Sequence, residues 1–536
     1  MKSSDSLRSR LAMTAATAVI AGIATAHLAT APAEAAGLVL RPIGTYSTGL
    51  FAEGGAEITA YDAAGKRLYV VNALAAKVDV IDISRPSAPR KVGEIDGSAL
   101  GGGINSVAVH GDLVAVAIEA EDKQQAGAVG FYSTAGAFLK SVTVGALPDM
   151  LTFTPDGLKV LVANEGEPKD YCAAGLANDP EGSVSVIDLS GGIAALTQAN
   201  VRTAGFQAWN GGAPAGVRIF GPNATVAQDL EPEYIAVAAD SRTAWVTLQE
   251  NNAIGVLDLA EAKFTALVPL GTKDHSLPGQ GLDASDRDGG VRIVPHPVRG
   301  MYQPDAIAAF SVGSAHYLAT ANEGDARDYD CYGEEERIGD VALDPAIFPN
   351  AETLQDNGEL GRLRTTTASG DGDGDGDIDQ IHSYGARSFS IWSGDGHLVW
   401  DSGDDFELIT AVALPDGFNS THDDNDSFDG RSDDKGPEPE GLALGVVRGR
   451  RYAFIGLERV GGVMVYDVTE PTRPSFVQYV NPRNFGGDPE AGTAGPLGPE
   501  GMLFIPRDAS PVPRSLLVTA NEVSGTVTIF SILPRP

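Results

Sequence analysis

Short runs of apolar or alternating residues, bounded by Gly, Pro, Asn and Asp, recur along the whole chain. In the last unit, Pro499-Glu500-Gly501 precedes an apolar strand ending at Asn521-Glu522, and an alternating strand follows at 526–530. The same order recurs in five units, which begin at Pro148, Pro232, Pro304, Pro439 and Pro499. Such runs between turn-forming residues predict β-strands.

Two less regular units come first, with strands near Ile58 and Ile104, so the chain contains seven units. A fourth strand follows most units, but the chain ends before the last unit can add one. Leu38 to Tyr46 is an unassigned strand, and we expect it to pair beside Val527 to Ile532. This pattern predicts an all-β protein, a seven-bladed β-propeller closed by the N-terminal strand. Two packed β-sandwiches would explain neither the count nor the spare strand.

The N-terminus has the order of a secretory signal. Lys2, Arg8 and Arg10 precede an apolar run from Leu11 to Ala31, which ends at the small-x-small sequence Ala33-Glu34-Ala35. This order predicts a signal peptide at 1–36 and a single mature propeller domain at 37–536. A retained membrane anchor is the alternative, but the run is Ala-rich and interrupted by His27. We therefore expect a secreted, extracellular protein without a stable membrane anchor.

The net charge of −34 reflects 72 acidic and 38 basic side chains. Nucleic-acid binding needs stripes of Lys and Arg, so this balance argues against nucleic acid and favours cations as partners. Solubility of an exported protein is the simpler explanation of the same charge. We find no Walker loop, Gly-x-Ser-x-Gly motif, His-Glu-x-x-His motif or Rossmann fingerprint. The eight His form no close pair, which argues against a His-rich zinc site.

The repeated template brings acidic side chains together. In an antiparallel pair, the beginning of the first strand lies beside the end of the second, so both acidic positions of each unit share one face, called here the mouth. Carboxylates this crowded repel one another unless cations intervene, which predicts a metal or cationic-ligand site with Glu165, Glu323 and Glu440 as metal ligands. Alternatively, some of them cap turns. The mouth carboxylates are Asp149, Glu165, Glu233, Glu250, Asp305, Glu323, Glu440, Glu500 and Glu522.

Two units carry a longer version of the Asn-Glu sequence, at 164–171 and 322–329. The chain's two cysteines, Cys172 and Cys331, follow these stretches at nearly equivalent places. In an exported chain two cysteines more often pair than stay free, so we expect a disulfide across the mouth, with two unpaired thiols as the alternative.

An Asp-Gly repeat lies within a long insertion around 330–384. Its sequence fits the beginning of a calcium loop, with Asp371, Asp373, Asp375 and Asp379 as ligands. His382 occupies position twelve, where an EF-hand has a bidentate Glu, so the remaining ligand must come from elsewhere or be missing. Calcium is the expected cofactor, and a solvated Asp/Gly linker is the alternative.

Four stretches together carry a resemblance to a known family: 164–171, 322–329, 384–391 and 429–441. With the repeats, they resemble the choice-of-anchor I family of bacterial secreted propellers over essentially the whole mature chain. The chain is similar also to a mesenchyme-specific cell-surface glycoprotein of echinoderms. Several relatives bear the name alkaline phosphatase, through similarity to an atypical Ca²⁺-dependent enzyme.

Two functions follow from these observations and the resemblance. The first is a secreted, calcium-binding extracellular propeller of the non-catalytic binding or cell-surface type, with metal cations and an extracellular protein or cell-wall component as partners. The alternative is a metal-dependent, alkaline phosphatase-like hydrolase of phosphomonoesters, in which Arg327, Arg387, Arg431 or Lys435 would hold the phosphate. No nucleophile is assigned, because the chain has no Asp-Ser-Ala motif.

Overall fold

The structure is a computed structural model that describes residues 37–535, apart from residues 53 and 176. The predicted signal peptide lies outside the described residues. Within them, almost all regular structure is β-strand, and the α-helices are short. The predicted all-β fold is therefore confirmed.

Most strand residues of the described chain belong to seven four-stranded antiparallel sheets, numbered here sheet 1 to sheet 7 along the chain. Sheet 1 consists of Thr59–Asp62, Arg67–Asn72, Lys77–Asp82 and Arg90–Asp96. Sheet 2 consists of Gly103–His110, Leu113–Glu119, Ala126–Ser133 and Phe138–Ala146. Sheet 3 consists of Pro148–Phe153, Lys159–Asn164, Ser183–Asp188 and Val201–Gly205. Sheet 4 consists of Pro232–Val237, Thr243–Leu248, Ala253–Asp258 and Lys263–Pro269.

The remaining three sheets follow the same order of strands. Sheet 5 consists of Ile307–Val312, Ala315–Asn322, Ser388–Ser393 and Leu398–Asp401. Sheet 6 consists of Pro439–Val447, Arg450–Leu457, Val463–Asp467 and Ser475–Val480. Sheet 7 consists of Pro499–Ile505, Leu516–Asn521, Thr526–Pro534 and the N-terminal strand Leu38–Ser47.

The first strands of the sheets contact one another in a circle. Each first strand contacts that of the next sheet, and the first strand of sheet 7 contacts that of sheet 1. The second strands are almost completely buried, as in Leu516–Asn521, whereas outer strands such as Arg90–Asp96 are largely exposed. Burial on both faces explains why the second strands read as continuous apolar runs. Apolar side chains of neighbouring sheets fill the space between them.

The N-terminal strand pairs antiparallel with the last strand of the chain. Leu38 lies opposite Pro534, and Ser47 lies opposite Thr526. Leu38 and Leu40 are 1% and 2% exposed and pack in the core between sheets 6 and 7. The strand therefore supplies the fourth strand of sheet 7.

A long insertion joins the second and third strands of sheet 5. Its short strands are Asp328–Tyr329, Tyr332–Gly333, Glu335–Arg337, Arg364–Thr366 and Ile381–Ser383. The last of these runs parallel to Val298–Met301, which pairs with Thr272–Asp274. The α-helices are Val226–Asp229, Ala351–Leu354 and Asp405–Ala413, and the 3₁₀ helices are Ile193–Ala195, Gln198–Asn200, Gln207–Trp209 and Ile338–Asp340.

Candidate functional site: a carboxylate-lined channel

Strand register brings the acidic positions of the repeat to one face. Pro148 lies opposite Asn164 in sheet 3, and Pro499 lies opposite Asn521 in sheet 7. The residue that follows each of these four positions is acidic. Because the first strands form the circle, these carboxylates surround its centre at one end, as the template predicts.

The Asn of the repeated Asn-Glu sequence has a structural role. Asn164 is buried, and its amide group donates to Ser183 Oγ at 3.2 Å and Ser185 Oγ at 3.1 Å on the third strand. Asn322 and Asn521 donate to Ser or Thr hydroxyls on the equivalent strands. The Asn fastens the end of the second strand, which leaves the following Glu to face the centre.

A cavity of about 510 Å³ lies at the centre of the mouth. Lys123 is the basic residue in its lining, and its Nζ lies 3.7 Å from Glu119 Oε2. Met150, Tyr234 and Met502 add apolar surface. The acidic lining residues are Glu57, Glu119, Asp149, Glu165, Glu167, Asp305 and Glu500.

These carboxylates perturb one another's acidity. Burial, followed by the charge of neighbouring carboxylates, raises the pKa of Glu57 to about 8, that of Asp149 to about 7 and that of Asp305 to about 8. The same causes raise the pKa values of Glu165 and Glu500 well above the usual range. The cavity therefore gathers carboxyl groups whose charges the protein itself leaves largely uncompensated, and a cation that takes the place of their protons would be favoured.

Side chains of the protein compensate the carboxylates between sheets 5 and 6. Lys435 Nζ lies 2.8 Å from Glu323 Oε1 and 3.1 Å from Glu438 Oε2. Arg431 and Arg459 contact the same Glu438 at 2.6 and 3.0 Å. Burial alone would raise the pKa of Glu438, but these three cations hold it well below its usual range. In this part of the mouth, basic side chains of the protein itself pair with the carboxylates.

Two further arginines are buried in ion pairs. Arg327 is 1% exposed, and it contacts Asp229 Oδ1 at 2.5 Å and Glu231 Oε1 at 3.0 Å. Arg387 Nη1 lies 2.6 Å from Glu407 Oε1. Its other nitrogen donates to backbone carbonyl groups of the loop that carries Lys435. All four side chains that the phosphatase hypothesis assigns to phosphate are thus held by carboxylates of the chain.

Two groups of possible metal ligands lie at the mouth. Ligand atoms of His422, Glu458 and Glu522 lie within 4.8 Å of one another, as do those of Glu323, Glu438 and Glu458. Glu458 Oε1 lies 2.9 Å from His422 Nδ1, and Arg459 contacts both residues. An arginine therefore already occupies the neighbourhood of the first group.

The predicted metal ligands of the mouth do not converge on one point. Glu323 belongs to one of the two groups, whereas Glu165 and Glu440 belong to none of the ligand groups found in the described chain. Glu440 Oε2 is buried and has no hydrogen-bond partner. The assignment of metal to these three residues stays a prediction.

The predicted disulfide is present. Cys172 and Cys331 are joined, and their Cα atoms lie 5.2 Å apart. The ring of Tyr171 packs edge-on against Tyr329 and Tyr332, with centroids 5.7 and 5.4 Å apart. The bridge ties the long loops of sheets 3 and 5 together beside the mouth.

The Asp-Gly loop brings together part of the predicted ligand set. Oxygen atoms of Asp371, Asp373 and Asp379 lie within 4.8 Å of one another. Asp375 is not part of this group, and its carboxylate instead accepts a hydrogen bond from the backbone N–H of Asp377 at 3.2 Å. Three carboxylates on a Gly-rich turn are the oxygen donors that Ca²⁺ prefers.

A carboxylate from outside the loop adds to it. Asp344 forms a second group with Asp377 and Asp379, held there by the pairing of Leu343 with Ile378. Desolvation, followed by neighbouring aspartates, raises the pKa of Asp377 to about 6. Asp344 lies 27 residues before Asp371 in the sequence, so the spacing of the motif gave no sign of it.

Sequence reasoning also missed Glu57 and Glu119, which line the cavity. Glu119 ends the second strand of sheet 2, and Glu57 directly precedes Ile58 at the beginning of the first unit. Both occupy template positions of the two less regular units, in which Ala56 stands where the other units have Pro and Ile118 stands where three of them have Asn. Aligning those units with the others would have found both residues.

Comparison with known proteins identifies the family. A family model for the choice-of-anchor I domain matches residues 57–471. This chain belongs to the choice-of-anchor I family. The predicted resemblance is therefore confirmed.

Two relatives of this choice-of-anchor I chain are animal proteins. Gigasin-3a of Magallana gigas is 31% identical over 201 residues, which cover 34% of this chain and 70% of the relative. The mesenchyme-specific cell surface glycoprotein of Strongylocentrotus purpuratus is 28% identical over 283 residues, which cover 46% of this chain and 36% of the relative. The match thus spans about a third of that glycoprotein.

Solved structures resemble the chain more distantly. Hydrazine synthase of Kuenenia stuttgartiensis has a TM-score of 0.45 at 14% identity, covering 89% of this chain and 95% of that chain. A β-propeller domain of Cps50 from Myceliophteria thermophila has a TM-score of 0.43 at 8% identity, covering 92% and 99%. Likeness at this level assigns no function. Among the described residues, no helix has the length and apolar character needed for a membrane span.

Proposed function

We propose that this choice-of-anchor I protein is a secreted, calcium-binding extracellular β-propeller that binds cationic ligands at its mouth and is not catalytic. The observation that carries the proposal is the central cavity, whose seven carboxylates face a single lysine of the lining. The name of the Strongylocentrotus purpuratus relative, a cell surface glycoprotein, and the disulfide fit an extracellular location.

The blade count belongs to the same proposal. Seven four-stranded sheets whose first strands contact one another in a circle support seven blades. The N-terminal strand completes sheet 7 beside the last strand, which supports closure of the ring by the two ends of the chain. Such closure holds the N-terminal strand and the last strand of the chain side by side in one blade.

We place Ca²⁺ on the Asp-Gly loop through Asp371, Asp373 and Asp379, with Asp375 as the fourth ligand of the sequence prediction. Bringing these carboxylates together costs free energy in the absence of an ion, and a divalent cation reverses that cost. Binding to the folded state alone should raise the melting temperature by mass action.

The experiment compares melting temperatures of the purified full chain in Ca²⁺ and in chelator. We expect Ca²⁺ to stabilise the parent, and Asp371→Asn/Asp373→Asn to lose most of that gain. Asp416→Asn/Asp508→Asn removes the same charge at exposed positions and serves as the control. An equal Ca²⁺ response in the loop variant and the control would show that the loop does not hold the ion.

A phosphomonoester hydrolase is the alternative function, and the structure gives it less support. Arg327, Arg387, Arg431 and Lys435 would each have to leave a carboxylate partner to hold phosphate. Breaking buried ion pairs of this kind costs about 3–5 kcal/mol each. A phosphomonoesterase assay with and without Ca²⁺ tests this directly, and Ca²⁺-dependent turnover would overturn the non-catalytic proposal.

A further inference from the structure

The two sides of the mouth differ in how their negative charge is neutralised. Between sheets 5 and 6, the ammonium group of Lys435 bridges Glu323 and Glu438. On the other side, the cavity carboxylates Glu57 and Glu500 form no ion pair within the described chain. The structure therefore shows how an ammonium group fits between mouth carboxylates, and which carboxylates lack one.

One buried carboxylate oxygen of the cavity lining has no hydrogen-bond partner. Glu500 Oε2 lines the cavity, is buried and accepts no hydrogen bond. A buried carboxylate oxygen without a partner is costly, which points to a ligand that supplies the missing donors.

The spacing of the cavity carboxylates does not suit a bare metal ion. Among the described residues, no three of them place ligand atoms within 4.8 Å of one another. Direct coordination of Ca²⁺ requires six to eight oxygens at about 2.3–2.6 Å. Carboxylates spread around a wider cavity suit several separate positive groups better than one ion.

The remaining lining suits a hydrocarbon chain between such groups. Met150, Tyr234, Leu442 and Met502 lie among the carboxylates. The volume of about 510 Å³ falls within the range of roughly 300–1,000 Å³ found for small-molecule sites. Methylene groups would contact these side chains while ammonium groups pair with carboxylates.

We propose that the mouth cavity binds an organic polyammonium ligand, in which at least two ammonium groups joined by methylenes pair with Glu57, Asp149, Asp305 and Glu500. This inference rests on the proposed binding function and names the ligand class of its site. Each ammonium group would play the part that Lys435 plays for Glu323 and Glu438.

Calorimetric titration of the full chain with spermidine tests the inference, at pH 8 in an amine-free buffer with chelator. The channel variant, Glu57→Gln/Asp305→Asn, keeps the shape of both side chains and removes two cavity charges. We expect saturable binding to the parent and at least tenfold weaker binding to this variant. Asp416→Asn/Asp508→Asn changes the net charge equally at exposed sites and should bind like the parent. n-Butylamine, with one ammonium group, should bind more weakly than spermidine.

Equal spermidine affinity in the channel variant and the control would overturn the inference, because net charge alone would then account for binding. Displacement of bound spermidine by stoichiometric Ca²⁺ would also overturn it, since the cavity would then be a metal site. If spermidine does not bind while Ca²⁺ still stabilises the protein through the Asp371 loop, only this inference is refuted. Loss of both responses would refute the proposed function as well.

Discussion

The carboxylate-lined cavity should make the cation-free protein less stable as pH rises. Glu57 and Asp305 have folded-state pKa values of about 8, above the usual values for free side chains. Each binds its proton more tightly in the folded state, so its stabilising contribution is complete at low pH. That contribution is lost as pH rises towards the folded-state pKa.

The expected magnitude follows from these values. One pKa unit corresponds to about 1.4 kcal/mol, so each group should remove about 2 kcal/mol between pH 6.5 and pH 8.5. The window begins at pH 6.5 because the buried His275 and His296 and the partly buried His382 have lowered pKa values and act in the opposite direction below it. Above that pH these histidines are mostly neutral in both states.

The assay is urea denaturation monitored by tryptophan fluorescence in amine-free buffer with chelator. It is carried out at about pH 6.5, 7.5 and 8.5, which span this window. Glu57 and Asp305 alone should lower the free energy of unfolding of the parent by roughly 4 kcal/mol if they act independently, and Asp149, whose pKa is about 7, should add to that loss. The channel variant should show a flatter profile and should be more stable than the parent at the highest pH. A parent whose stability stays constant or rises over this range would refute the reasoning, as would an unchanged profile in the channel variant.

Three further changes test other parts of the structure. Leu40→Ala on the closing strand should lower the free energy of unfolding by about 2–5 kcal/mol in urea denaturation, whereas Arg41→Ala at the exposed neighbouring position should change it little. Equal losses in the two variants would argue against closure. Cys172→Ser/Cys331→Ser should lower the free energy of unfolding by about 2–4 kcal/mol. Thiol titration of the unreduced, denatured parent should find no free thiol, and finding two would exclude the bridge. Lys435→Met should lower the free energy of unfolding, measured by calorimetry, by about 3–5 kcal/mol, because it removes a cation that pairs with Glu323 and Glu438. An unchanged melting temperature would contradict that role.

The sequence was most informative where local pattern and register act together. Pro148 and Asn164 mark the ends of neighbouring antiparallel strands, so their acidic neighbours had to meet on one face. The pairing of Cys172 with Cys331 followed from the same equivalence of loops. These features depend on the repeat, and the repeat is visible in the sequence.

The partners of the buried cations were not visible in the sequence. Arg327 lies in a repeated motif and suggested a ligand site, yet its partners Asp229 and Glu231 come from the short helix and the segment directly before sheet 4. Lys435 reaches Glu323 across 111 intervening residues. Ion pairs between distant loops depend on how those loops fold over the mouth, and no local spacing encodes that.

The central claim is that the mouth carboxylates take up positive ligands, and proton release tests it most directly. Adding spermidine to the full chain in unbuffered solution at about pH 7.5 should release protons, because carboxylates with raised pKa values must ionise to pair with the ligand. Asp377 of the Asp-Gly loop should add little at this pH, since its pKa is about 6. The account predicts that the parent releases protons, measured as the base needed to hold the pH constant, and that the channel variant releases far fewer. Binding without proton release, or equal release from both proteins, would contradict it.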